Sequence, residues 1–366
     1  MKKYFISLIV ILSLSPLISF SLDCPSAFKF TSCIKIDNVL RNYNTAPEVN
    51  LNNSEAVTMS FIAYGDMPYF EKNYKAYEEL ITKINTMKPS LVIHTGDAHH
   101  PNDCDNKTIN LMYNFMNKID APLFFVLGDN DWTDCPKNKF TQTERLNYVR
   151  QIHFSSASTL GRQPIKVTNQ KNLGYPENSR FRKNNIGFVG LHVVGSKNNM
   201  ATDDPKKMSE FNSRNKANLI WLNESFNLFN QTDAIVIALH GNMLKMKRNP
   251  FRKLYSTLKK DIRLIMVTST YQTLYEDIFI DAPYYSFNLP YKEIGTAIQN
   301  YSLKYRKPVL LLHGDTHKHK ELKPTKDYPN LYVIETHGTP EIKAAKIAIR
   351  PKSNYPFKVE EVIEQK

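Results

Sequence analysis

The chain has 366 residues, 42% of them hydrophobic and 23% charged, enough to bury one large core or two small ones. Its formal charge is +13, but the lysines are interspersed with Asn, Tyr and Phe instead of gathered in a block, so charge gives no firm argument for a nucleic-acid partner. No stretch beyond the N-terminal run is apolar enough to cross a bilayer, and no C-x-x-C spacing points to structural zinc.

Residues 1–21 have the form of a signal peptide. Lys2 and Lys3 make a basic start, an apolar run covers 6–18, and Ser19-Phe20-Ser21 offers a small-x-small cleavage pattern. The expectation is a secreted or periplasmic protein with no membrane span once the signal is removed. Residues 22–55, with two cysteines, two prolines and an Asn-rich end, form an N-terminal leader without sustained periodicity. The domain proper is expected over 56–366.

The order of elements then sets the fold class. A strand over 57–64 is followed by a helix over about 71–87, whose Tyr77, Leu80, Ile81 and Ile84 share one face. Pro89 ends that helix, and a strand over 91–95, a helix over 108–118 and a strand over 123–127 complete a βαβαβ run with parallel neighbours. Residues 141–153 read as helix, 154–185 as a polar loop region, 186–194 as strand and 210–230 as amphipathic helix. Strands are expected again over 234–239, 264–267 and 309–312. Those over 331–335 and 344–349 are expected to close a second sheet packed on the first.

Four of these apolar runs stop in a glycine followed by an acid: Gly65-Asp66, Gly96-Asp97, Gly128-Asp129-Asn130-Asp131 and Gly314-Asp315-Thr316-His317. Ligands of open α/β sheets collect at the carboxyl ends of strands, where all of these acids sit. A single Gly-Asp after a strand is an ordinary turn, but four in order, with His240 closing another strand, point to one metal site. A carboxylate shared by two divalent ions, with His, Asp and Asn around it, suits manganese, iron or zinc. Glycines before the acids are expected to let the chain turn sharply there.

In order and approximate spacing, Asp66, Gly96-Asp97, Gly128-Asp129-Asn130-Asp131, His240 and Gly314-Asp315-Thr316-His317 resemble the motifs of the calcineurin-like metallophosphoesterases. Within that superfamily the chain looks like a divergent exported bacterial-type group, distantly similar to purple acid phosphatases. The resemblance spans about 57–340 and implies a four-layer αββα sandwich of two mixed β-sheets flanked by helices. It also implies a dinuclear site hydrolysing a small phosphorylated substrate with metal-activated water. Position by position, it makes Asp66 and His317 ligands of a first ion and Asp97 a bridge. Asp129, His240 and Asp315 become ligands of a second ion, although Asp129 and Asp315 stand where the family has Asn and His. Asn130 and Asp131 fall at the catalytic position, Asn130 replacing a histidine and Asp131 able to orient it.

Two further departures matter. Pro68 stands where a first-ion histidine is usual, and His100 or Tyr69 could replace that ligand. Asn130 can donate a hydrogen bond but cannot transfer a proton at neutral pH; His99, His192 and His313 are other candidate acids. Arg180 and Arg214 could grip phosphate, with ion pairing the plainer expectation. The alternatives to a monoesterase are a phosphodiesterase or nuclease and an inactive ligand-binding protein on the same scaffold. The sequence leaves the oligomeric state open. Of the three connectivities that four cysteines permit, Cys24 with Cys33 and Cys104 with Cys135 is expected, since the latter bridge would tie the Asp97 and Asp129 loops together.

Overall fold

In the first sheet, the three parallel strands, rich in Val, Ile and Phe, are buried on both faces. A computed structural model describes residues 56–136, 138–246, 285–322 and 324–364 of the chain. This sheet has the order β14-β13-β1-β2-β3. It comprises β1 (Met59–Tyr64), β2 (Val92–His94), β3 (Leu123–Phe125), β13 (Lys343–Ile349) and β14 (Phe357–Glu364). β1, β2 and β3 run parallel, joined by helices α1 (Tyr74–Met87) and α2 (Asn106–Met116), while β13 and β14 pair antiparallel on the other side.

The second sheet has β4 (Thr168–Gln170), β5 (Tyr175–Lys183), β6 (Ile186–Gly190) and β7 (Ala234–Ala238) on one side. Its other strands are β10 (Val309–His313), β11 (Lys320–Leu322) and β12 (Leu331–Glu335). The order is β11-β12-β10-β7-β6-β5-β4, with a parallel centre from β12 to β6. β8 (Leu244–Met246) and β9 (Tyr285–Phe287) form a separate pair.

Alternation along the central strands fixes the layers. In β1, Met59, Phe61 and Ala63 pack between the sheets, while Ile62 and Tyr64 face α1 and α2. In β7, Ala234, Val236 and Ala238 enter the same inter-sheet core, whereas Ile235 and Ile237 meet helices α4 (Pro205–Leu228) and α5 (Lys292–Tyr305). The result is helices, sheet, sheet, helices, the expected four layers. Helix α3 (Gln142–His153), on the α2 side, opens with a capping box between Thr141 and Glu144.

Two expectations are corrected. The region 154–185 is not a loop, since it carries β4 and β5. Its strands lack an apolar rhythm because the inward-facing residues of β5 are polar and paired: Asn178 donates to Gln170 and Asn218, and Glu177 meets Arg150 and His192. The closing strands also divide, β12 joining the second sheet beside β10 and β13 the first beside β1. Two apolar runs of similar character give no sign of which sheet each will enter. Residues 1–55 and the strand expected at 264–267 lie outside the described residues, as do Cys24 and Cys33. Among the described residues no helix is long and apolar enough to cross a membrane.

Candidate metal centre

The parallel strands of both sheets direct their carboxyl ends to one edge, and the chain turns there through strained backbone. Asp66 follows β1 at φ 54°, Asp97 follows β2 at φ 54°, and Asp315 and His317 follow β10 at φ 84° and 61°. The left-handed conformation therefore falls mostly on the functional residues and not on the glycines before them, of which only Gly96 has a positive φ. The expected turning role of those glycines is replaced by close approach. A Cβ on Gly128 would lie 2.0 Å from Asp97 Oδ1, where no side chain fits.

Two groups of side chains meet at this edge. In the first, Asp66, Asp97 and His240 each offer a ligand atom, all within 4.8 Å of one another, and the second unites Asp129, His240 and Asp315 in the same way. His317 borders the first group, its Nε2 3.4 Å from Asp66 Oδ1. Both histidines are aimed by their other ring nitrogen. His240 Nδ1 is 2.8 Å from the Thr95 carbonyl and His317 Nδ1 is 2.6 Å from the Thr339 carbonyl, so each Nδ1–H donates and each Nε2 faces the acids. His240 Nε2 is buried and lacks an aligned hydrogen-bond partner, although Asp129 Oδ1 is 2.9 Å and Asp97 Oδ1 3.4 Å away. Atoms gathered at such spacing without donor alignment fit ligands around an ion better than a closed ion pair.

The electrostatics agree. Burial pushes Asp66 well above the usual carboxylate range, the Asp97 charge adding to it against the pull of His240. Asp97 is raised to about 7, first by burial and then by Asp129. Burial also raises Asp315. Burial would raise Asp129 as well, but the His240 imidazole and the Ser196 hydroxyl outweigh it and hold it low. Burial opposes the charged form of His240, yet Asp97 and Asp66 hold its pKa well above the ordinary imidazole value. A site of four crowded carboxylates that recruits protons lacks positive charge, and two divalent ions would supply it.

The regular matching pattern of the calcineurin-like phosphoesterases covers residues 59–319, most of the chain and all of these ligand candidates. The chain belongs to the calcineurin-like phosphoesterase family. Among solved structures, a dimetal phosphatase from Danio rerio is 10% identical at a TM-score of 0.46, covering 85% of this chain and all 100% of its own. A Thermus thermophilus protein is 8% identical at TM-score 0.44, with 84% and 99% covered. A Plasmodium protein described as the anchor in the inner membrane complex is 11% identical at TM-score 0.40, with 84% and 89% covered. No curated protein matches.

Within this member of the family the remaining candidates separate clearly. His100 is brought to neither group; its Nδ1 accepts from the Asn102 backbone N–H, and its ring lies against Phe70. Tyr69, the other candidate, stands inside the site, its hydroxyl 2.8 Å from Asp97 Oδ2. Asn130 lines the site through its Nδ2, which donates to Tyr69. Asp131 does not orient the Asn130 side chain, because its carboxylate accepts from the backbone N–H groups of Asp97, Ala98 and Gly128. It ties the Asp97 and Asp129 loops together. His192 is occupied by Glu177, His313 Nδ1 by the Gly314 carbonyl, and His99 Nδ1 by the His100 carbonyl. Arg214 is fully buried and bound to Glu210, Asn198 and the His192 carbonyl, so it grips the chain and not a phosphate. Arg180 lies over Trp221 and bonds Ser225.

Gly195 and Ser196, which close the apolar run after His192 and were not among the expected site residues, also reach the site. The Gly195 N–H and the Ser196 hydroxyl both donate to Asp129, and a Cβ on Gly195 would come within 2.5 Å of Asp129 and 2.4 Å of Asp315. The signal was present, since Gly195 ends an apolar run as the other site glycines do. The expected Cys104–Cys135 disulfide is present, joining the segments after Asp97 and Asp129.

Proposed function

We propose that the chain is an exported phosphoesterase that hydrolyses a small phosphate ester at a dinuclear centre. Asp66, Asp97 and His317 would hold the first ion, and Asp97, Asp129, His240 and Asp315 the second. The observation that carries this reading is the meeting of two ligand groups on one edge that share His240, whose Nε2 lies 3.4 Å from Asp97 Oδ1. When bound, the ions would supply Lewis-acid stabilisation of the phosphoryl group and a water acidic enough to attack it. Two divalent charges match the four carboxylates of Asp66, Asp97, Asp129 and Asp315. The second site, with three carboxylates beside the His240 imidazole, favours hard ions such as manganese over softer ones.

The residues around the ions set what the chain can do for the substrate. Asn130 reaches the site with an amide that donates but does not release a proton, so it can hold a phosphoryl oxygen and cannot protonate a departing alcohol. Esters with acidic leaving groups, such as aryl phosphates, are therefore the substrates this arrangement serves best. Support for export comes from the signal-like N-terminus and from the disulfide, which persists in oxidising compartments.

Elemental analysis of the mature protein and its Asp97→Asn variant, with hydrolysis of an aryl phosphate and an aryl phosphodiester, tests the proposal. Two ions per chain, with turnover lost in the variant, is the expected result, and the faster ester identifies the class. A metal-free, inactive wild type would instead overturn the dinuclear enzyme and favour the ligand-binding alternative.

A further inference from the structure

The first ion, as assembled above, is short of a donor, because Pro68 stands where a histidine is usual. The chain fills that place one residue later. Tyr69 is buried, holds a left-handed backbone at φ 55°, and puts its phenol oxygen among the donors of the first group. That oxygen is 2.8 Å from Asp97 Oδ2 and 3.2 Å from His317 Nε2, and His317 Nε2 is in turn 3.4 Å from Asp66 Oδ1. Donor atoms each about 2.1 Å from one ion lie roughly 3 to 3.5 Å apart in octahedral or tetrahedral arrangements. Each successive pair, from Asp97 through Tyr69 and His317 to Asp66, is thus spaced about as two donors of one ion would be. The strained backbone has a reason here, since it delivers this ring inward while Phe70 and His100 stack outside it.

We propose that Tyr69 is a ligand of the first ion through its phenol oxygen, resting on the dinuclear reading above. On binding, the O–H bond breaks, the proton leaves to solvent and the oxygen's electron pair goes to the ion. Asn130 then has a defined task, because its Nδ2, 2.9 Å from that oxygen, donates to the ligated phenolate. An amide in place of the family's histidine suits a neighbour that is anionic and needs a permanent donor. With Asp66, Asp97 and Tyr69, the first shell has three anionic oxygens beside one imidazole, a set that selects a hard ion such as iron or manganese over zinc.

The test is spectroscopic. The mature protein is loaded with ferric citrate, bound iron is counted, and the visible spectrum is recorded for wild type, Tyr69→Phe, Tyr69→His and His100→Ala. Phenolate bound to ferric iron gives a visible charge-transfer band that carboxylates and imidazoles do not. The band is expected in wild type and His100→Ala and lost in Tyr69→Phe. Tyr69→His should retain the iron without colour, which guards against a folding defect in the phenylalanine variant. Manganese titration of Tyr69→Phe should show one of two ions weakened at least tenfold and the other unchanged. Stoichiometric iron without a band in wild type, or a band surviving in Tyr69→Phe, overturns the ligand assignment and leaves the dinuclear centre standing. Failure of wild type to bind either metal overturns both.

Discussion

The Asp131 carboxylate accepts a 3.1 Å hydrogen bond from the backbone N–H of Asp97, although the two acids belong to different strand ends. The same carboxylate takes the N–H of Ala98 at 3.0 Å and that of Gly128 at 2.7 Å. One side chain therefore sets the separation of the loops that carry Asp97 and Asp129. Exchanging it for an amide removes an acceptor oxygen and turns an NH2 group toward backbone donors. Asp131→Asn is expected to cost about 2 kcal/mol in metal-free urea unfolding and to weaken metal binding about 10- to 100-fold. Unchanged metal affinity would mean that the loops hold their places without it.

The disulfide acts on the same pair of loops from outside. Cys104 and Cys135 are 31 residues apart, a closure expected to contribute about 3 to 4 kcal/mol. The double variant Cys104→Ser, Cys135→Ser should melt correspondingly lower and bind metal more weakly, as read by thermal denaturation and chelator competition. Lower stability with intact metal affinity would confine the bridge to the unfolded chain's entropy.

A third expectation concerns acid. His153 is buried against Phe125, Phe154 and Tyr113, and burial lowers its pKa from 6.5 to about 4. The unfolded chain takes up the proton first, so this residue's contribution to stability is complete above about pH 6.5 and is lost as pH falls toward 4. His94, lowered to about 3 chiefly by burial, acts in the same direction. His153→Phe should flatten the decline in stability between those pH values by up to about 3 kcal/mol. Equal slopes for variant and wild type would show that the imidazole is not held neutral.

The central strands and the site acids were legible because both follow short-range rules. Strands buried on two faces are continuously apolar, and a strand end that must present a carboxylate breaks that run abruptly. The strand β5 was hidden because Glu177 and Asn178 are buried on polar partners from α3, β4 and α4, contacts that arise only when distant segments meet. Asp131 was misread for a similar reason: spacing placed it beside Asn130, whereas its partners are backbone groups on two loops. Tyr69 and His100 could not be separated from sequence, since each is a plausible donor close to a conspicuous Gly-Asp. Only the backbone turn at Tyr69 decides which ring faces inward.

The ligand candidates run from Asp66 to His317 and come from both sheets, with His240 of the second bonded to Thr95 of the first at 2.8 Å. An ion held among them stitches two separately paired layers together, and its binding energy then adds to the stability of the whole fold. At a free concentration 1,000 times its dissociation constant, one ion contributes about 4 kcal/mol. The melting temperature of this protein should then rise and fall with metal supply, making its endurance a gauge of the metal available around it.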